Sequence, residues 1–251
     1  MYEKLHQDLD LVSAEVCGHL WSLGTEKNRV CSGAPRLLIP HYPSRDTPRI
    51  SEQELRFLYA HVLESHLDES YAYSVETPTC ASHCFTGKGD RRISAQFDLT
   101  LHQKKDEFWQ RVCNVEFKAG QPTDVWQDFY KITEDWKQDL LHPIGHYFNL
   151  LKAADAGTVP SLLFKFADAF QKVIEDSGEI APLFITICVL GNKESHNQWA
   201  CSFIINNSNS RSQYDPATKL LAGAGDELRG CGSIQNQKDY IRNVWGWNII
   251  E

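Results

Sequence analysis

The chain has 251 residues, 42% of them hydrophobic and 23% charged, and carries a net charge of −8. That length can bury a sizeable core in one domain with appendages, and the composition is ordinary for a globular protein. The acidic balance argues against tight non-specific binding to duplex nucleic acid, and no apolar run approaches the ~20 residues that cross a bilayer.

Taken in order, residues 2 to 24 place Leu5, Leu9, Leu11, Val12, Val16, Leu20 and Leu23 at helical spacing, which predicts an amphipathic helix packed on the body. The opening residues lack the basic start and apolar segment of a secretory signal, so a cytoplasmic protein is expected. Residues 25 to 50, rich in Pro, Gly, Ser and charge, read as a connector. Ser51 followed by Glu54 has capping-box spacing and opens a helix whose buried stripe is Leu55, Leu58, Tyr59, Val62 and Leu63. Tyr71 to Thr77 reads as a first core strand, with Glu76 near its end.

Cys80, His83 and Cys84 invite a zinc reading, but no second Cys/His pair with matching spacing is present, so filler is the expectation. Gly87-Lys88-Gly89 lacks the P-loop pattern. Lys88, Arg91 and Arg92 read as a solvated turn or as contacts to a nucleic-acid backbone. Ala95, Phe97, Leu99 and Leu101 then alternate with Ser94, Gln96, Asp98, Thr100 and His102, the period of a half-buried strand with Asp98 on its polar face. Lys104 to Glu107 break the pattern, and a second strand follows with Cys113, Val115 and Phe117 on one face and Asn114, Glu116 and Lys118 on the other. An antiparallel hairpin is the natural pairing.

Gly120, Gln121 and Pro122 end that strand, and Trp126, Phe129, Tyr130, Ile132 and Trp136 predict a helix from about Asp124 to Leu140. Further helix is expected from Tyr147 to Ala154 and from Pro160 to Glu175, then strands at Leu183 to Leu190 and Trp199 to Ile205. A polar loop follows from Asn206, and the glycines at 223, 225 and 230 do not form a dinucleotide fingerprint. Trp245, Trp247, Ile249 and Ile250 require burial against the body or a partner. The eight cysteines are expected to be reduced thiols, since a chain of this size needs no disulfide staples.

Pairing the two central strands brings Asp98, Glu116 and Lys118 together on one face. Two carboxylates and an ammonium are the parts of a divalent-metal site with a helping cation. The spacing Glu-X-Lys follows from the pleat, because only alternate residues of a strand face the same way. Between Phe85 and Lys118 seven basic residues face five acidic ones, so this stretch is locally basic in an acidic chain.

Asp98 with Glu116-Phe117-Lys118 resembles the active-site motif of the PD-(D/E)XK nuclease superfamily, and the order helix, three strands, helix, strand from about Ile50 to Leu190 is similar to that family's core. Phe97 stands where the family has Pro. The resemblance implies an α/β fold, a three-layer α-β-α sandwich with a central mixed sheet and a restriction-endonuclease-like core at 49–205. A packed helix and connector at 1–48 and an extension at 206–251 complete the expected organisation. It implies Mg²⁺ or Mn²⁺ on Asp98, Glu116 and the Phe117 carbonyl, Lys118 as the helping cation, and a helical acid. Glu54 is the first choice for that acid, with Glu52 and Glu64 behind it. Gln121, Lys88, Arg91 and Arg92 would contact substrate. The activity implied is a DNA endonuclease of restriction, defence, repair or recombination, working as a possible homodimer or with a protein partner at the C-terminal tail. A non-catalytic module of the same fold, serving protein interaction or nucleic-acid binding, is the alternative.

Overall fold

The computed structural model describes residues 2–25, 37, 39–40, 42–43, 49, 51–83, 93–152, 159–190, 199–205 and 248–250. Helix α1 (Tyr2–Thr25) and helix α2 (Glu52–His66) precede a meander of β1 (Tyr71–His83), β2 (Ile93–Lys105) and β3 (Phe108–Ala119). Helix α3 (Val125–Gln138), β4 (Ile144–Lys152), helix α4 (Val159–Ser177), β5 (Leu183–Leu190), β6 (Trp199–Ile205) and β7 (Asn248–Ile250) follow. The strands form one seven-stranded sheet in sequence order. β1, β2 and β3 are antiparallel, β3, β4 and β5 are parallel, and β6 and β7 add antiparallel.

The two apolar cores assign the layers. Leu9, Val12, Val16 and Leu20 of α1 and Leu55, Leu58, Tyr59 and Val62 of α2 pack with Leu99, Val115, Phe117 and Phe148 on one face of the sheet. Phe129 and Ile132 of α3 and Phe166, Phe170 and Val173 of α4 cover the other face with Tyr147, Ile185 and Ile187. The fold is therefore α/β, with a mixed sheet between two helical layers. Each large side chain removed from water contributes about 1.5–3 kcal/mol, and aromatic contacts such as Phe129 stacked on Phe170 at 4.9 Å add to it. No helix of the described residues is long and apolar enough to cross a membrane.

The helix expected over Tyr147 to Ala154 is absent from the part described, and Ile144–Lys152 is strand β4. The reason is burial from both faces. Pro143 to Leu151 are all buried between β3 and β5, and a central parallel strand covered on both faces shows no period of two to betray it. The alternation in β2 also fails at one point. Leu99 and Leu101 share the α1–α2 core, but Phe97, expected on the same face, packs in the α3–α4 core. The side changes at Asp98.

Candidate active site

The break in β2 is what creates a site. The β2–β3 ladder runs as far as Leu99↔Val115 and then stops. Beyond it the Asp98 carboxylate takes the place of a ladder carbonyl, accepting the Phe117 backbone N–H at 2.8 Å through Oδ2. Its Oδ1 accepts from Arg56 Nη2 of α2 at 2.6 Å. On β1, Glu76 lies between the pairs Val75↔Leu99 and Thr77↔Phe97, opposite Asp98, and adopts φ +49°. That left-handed conformation is uncommon for a residue with a side chain. Glu76 reaches Arg56 Nη1 at 3.3 Å and is exposed.

Because β2 departs here, groups from both helical layers meet at the end of β3. Glu116 is 3% exposed, and Lys131 of α3 brings Nζ within 2.5 Å of its Oε1. Charge and hydrogen bonding from this ammonium both act on Glu116. Lys131 also donates to the Gln96 carbonyl at 2.9 Å. Burial pushes the Glu116 carboxyl up to about 8; Lys131 opposes the shift, and Asp128 and Asp98 reinforce it. Asp128 of α3 is also held above its usual range by burial, and its Oδ2 lies 3.4 Å from Lys118 Nζ. Burial alone would lower the Lys118 pKa, but Asp128, Glu116, Glu52 and Asp98 outweigh it and hold the ammonium above its ordinary value.

Glu52, in the first turn of α2, completes the group. Burial raises its pKa, Lys118 and the Ala119 N–H pull it down, and Asp98 and Asp128 push it up. Glu54, the acid first expected here, is used elsewhere. It accepts the Ser51 N–H at 3.0 Å in the capping box and pairs with Arg49 at 3.2 Å. Glu64 is exposed and accepts from the Tyr73 hydroxyl. Thus Asp98, Glu116 and Lys118 come together, with Glu52, Arg56, Asp128 and Lys131 added to them. The Phe117 side chain faces the α1–α2 core. Gln121 is exposed just beyond Gly120, with Lys165 Nζ 3.5 Å from its Oε1. Lys88, Arg91 and Arg92 lie outside the described residues.

Among the described residues, the buried side-chain atoms Arg56 Nε, Tyr147 OH and Asn149 Oδ1 lack a hydrogen-bond partner beside this site, and His6 Nε2 lacks one away from it. Glu116 Oε1 is met by the Lys131 ammonium. Tyr147 pairs in register with Glu116, and Asn149 with Lys118. Orphaned polar atoms are rare in folded proteins because each costs about 1–3 kcal/mol, which makes their grouping here notable. Two are oxygens, which suit a hard cation and its waters. The site also occupies the carboxyl ends of parallel strands, where open α/β sheets bind their ligands.

A second cluster lies towards the other end of β3. Cys80 Sγ and carboxylate oxygens of Asp135 and Asp139 fall within 4.8 Å of one another and could hold a metal ion. Their contacts already have another use. Asp135 accepts from the Cys80 N–H, from the Ala81 N–H at 3.4 Å and from Asn114 Nδ2 at 3.2 Å, with Arg111 at 3.7 Å. Arg111 supplies the positive charge, and the cluster ties β1 and β3 to α3. Among the described residues Cys80, Cys113 and Cys188 are free thiols, in line with the expectation for them, and the side chains of His83 and Cys84 lie outside the described residues.

For Glu52, Asp128 and Lys131 a signal was present in the sequence; for Arg56 there was none. A capping box engages the N3 carboxylate and leaves Glu52 free. On α3, Asp128, Lys131 and Asp135 recur at three- and four-residue spacing beside the aromatic stripe, so they share a face that turns partly inward. Compared with known proteins, the chain matches no family model, no curated protein and no solved structure.

Proposed function

We propose that this chain is a Mg²⁺- or Mn²⁺-dependent nuclease with a restriction-endonuclease-like core, an endonuclease acting on DNA. The observation that carries the reading is the gathering of the Asp98 and Glu116 carboxylates and the Lys118 ammonium where β2 leaves β3, with the unpartnered oxygens of Tyr147 and Asn149 beside them. The element order from α2 to β4 supports it, being the order of the PD-(D/E)XK core.

Asp98 and Glu116 would hold the ion, with the Phe117 carbonyl as a further oxygen ligand and Glu52 and Asp128 behind them. Bound there, the ion would supply a water of lowered pKa and charge relief for the scissile phosphate. The chain's own groups set what surrounds it. Arg56 fixes the Asp98 carboxylate, and the Phe117 N–H holds its second oxygen. Lys118, held above its ordinary pKa by the acids around it, suits stabilising charge on the phosphate or donating a proton to the leaving oxygen. The same shift makes it a poor proton acceptor.

One observation favours a second reading, a non-catalytic interaction module. Each inner acid already has a basic neighbour: Asp98 has Arg56, Glu116 has Lys131 and Asp128 has Lys118. Calorimetry with Mn²⁺ together with nicking of supercoiled plasmid in Mg²⁺ separates the two. The nuclease reading expects binding at millimolar metal or below, plus cutting that falls about 100-fold or more in Asp98→Asn, Glu116→Gln and Lys118→Ala. No binding and no cutting by folded wild-type protein would establish the module instead.

A further inference from the structure

We propose that Lys131 is the resident cation of this site: its ammonium occupies the place on Glu116 that a divalent ion takes, and so sets how tightly the ion binds. The inference rests on the metal-site reading above and adds a residue to it from outside the Asp and Glu-X-Lys positions.

Lys131 is a residue of α3 only 8% exposed, so its charge is not solvated as a surface lysine's would be. It reaches through the α3–sheet interface, its ammonium 5.2 Å from the Phe97 ring centroid, to arrive at Glu116 Oε1. Another of its three N–H groups is donated to the Gln96 carbonyl. The ammonium thus brings to Glu116 Oε1 the positive charge that a divalent ion would bring, while keeping a partner of its own. That is how an interchangeable counter-ion sits. Lys118 differs: its own carboxylate, Asp128, lies on the opposite element, so it need not leave Glu116 for an ion to arrive.

The Gln96 carbonyl gives the ammonium a partner that does not depend on Glu116. Lys131 can therefore give up the carboxylate without becoming an unpaired buried charge. The direction of the effect on binding follows from charge alone. A positive group within about 4 Å repels a divalent ion twice as strongly as a monovalent one, so the ammonium on Glu116 weakens the binding of a divalent ion most. Removing the ammonium while keeping the apolar stem must therefore favour the metal.

Calorimetric titration of Mn²⁺ into the full chain tests this with Lys131→Met and Lys131→Arg, each checked for folding by circular dichroism. Lys131→Met is expected to bind Mn²⁺ about tenfold tighter or more than wild type, and Lys131→Arg, which keeps the charge, to bind as wild type does. Adding Glu116→Gln to Lys131→Met is expected to erase the gain. Should Lys131→Met bind no tighter, or Lys131→Arg tighten as much, the proposal fails while the metal site stands. If Mn²⁺ binds and Glu116→Gln leaves it unchanged, the ion lies elsewhere and the metal-site reading fails with it. Absence of binding in wild type and both variants overturns both. Binding by Lys131→Met alone supports the proposal in its strongest form. If Lys131→Met fails to fold, Lys131→Gln takes its place with the same expectations.

Discussion

Asp98 does two jobs that a simple alanine scan would confuse. Its carboxylate is a proposed ligand, and it is also the acceptor for the Phe117 N–H and the partner of Arg56. Asp98→Ala leaves the buried Phe117 N–H without a partner and Arg56 with only the exposed Glu76, so it is expected to cost about 2–4 kcal/mol of stability. Asp98→Asn keeps an oxygen for one of the two bonds and should cost about half as much, yet it lowers the charge that would hold a metal. Chemical denaturation of the two variants beside Mn²⁺ titration checks this. Equal stability loss in both would show that the carboxylate is not the acceptor assigned here. Lys118 carries less structural duty, since its contact with Asp128 at 3.4 Å is partly exposed. It is therefore the cleaner probe of chemistry.

At the scale of elements, the site depends on how closely α3 lies on the sheet, because α3 delivers both Asp128 and Lys131. Gly145, at the start of β4, permits that approach. A Cβ there would stand 2.6 Å from Ile132 Cγ2 and 2.5 Å from Leu183 Cδ2, and both neighbours are fully buried. Gly145→Ala is expected to destabilise the fold by about 1–3 kcal/mol through overpacking. It should also weaken Mn²⁺ binding, because a helix pushed outward carries its two charged residues away from Glu116. A variant that loses stability but binds metal normally would show that α3 does not shape the site.

This element scale also explains what the sequence could disclose. Period-two alternation located Asp98, Glu116 and Lys118, because those strands have one polar stretch each. It failed for β4, which is buried on both faces, and so the register partners Tyr147 and Asn149 were hidden inside an expected helix. The capping box of α2 was legible, but its consequence for Glu54 and Glu52 is a matter of competing hydrogen bonds. Phe97 escaped because a strand can change sides where its ladder ends, and no spacing rule marks that place.

At the scale of the whole molecule, two buried groups on opposite faces of β3 and β4 give the protein its response to pH. His146 lies in a chain of hydrogen bonds joining four elements. Tyr59 of α2 contacts its Nδ1 at 2.7 Å, Thr186 of β5 its Nε2 at 3.2 Å, and Thr186 donates to Ser13 of α1 at 3.2 Å. Burial drives its pKa down to about 3, with His6 adding to the effect. The unfolded chain takes up that proton near pH 6.5, so between pH 6.5 and 3 stability falls as pH falls. Glu116 has the opposite sign. Its folded pKa of about 8 lies above the unfolded value of 4.5, so the native state holds a proton that the unfolded state releases, and stability falls as pH rises from 4.5 to 8. Glu52, Asp128 and Asp135 are raised as well and add in that direction. The metal-free protein is therefore expected to be most stable on a plateau between about pH 4.5 and 6.5, where the two trends oppose. Thermal melts from pH 3 to 9 without metal and with Mn²⁺ check the sum, and Glu116→Gln isolates the alkaline limb. The variant should melt higher than wild type near pH 8 by a few degrees, at roughly 2–4 °C per kcal/mol for a chain of this size, and alike near pH 4. Mn²⁺ should lift the alkaline limb of wild type, since binding to the ionised site stabilises the native state alone, and leave Glu116→Gln where it was. An alkaline limb that is flat without metal would mean that Glu116 ionises freely in the folded protein, and the charge balance drawn around it would have to be redrawn.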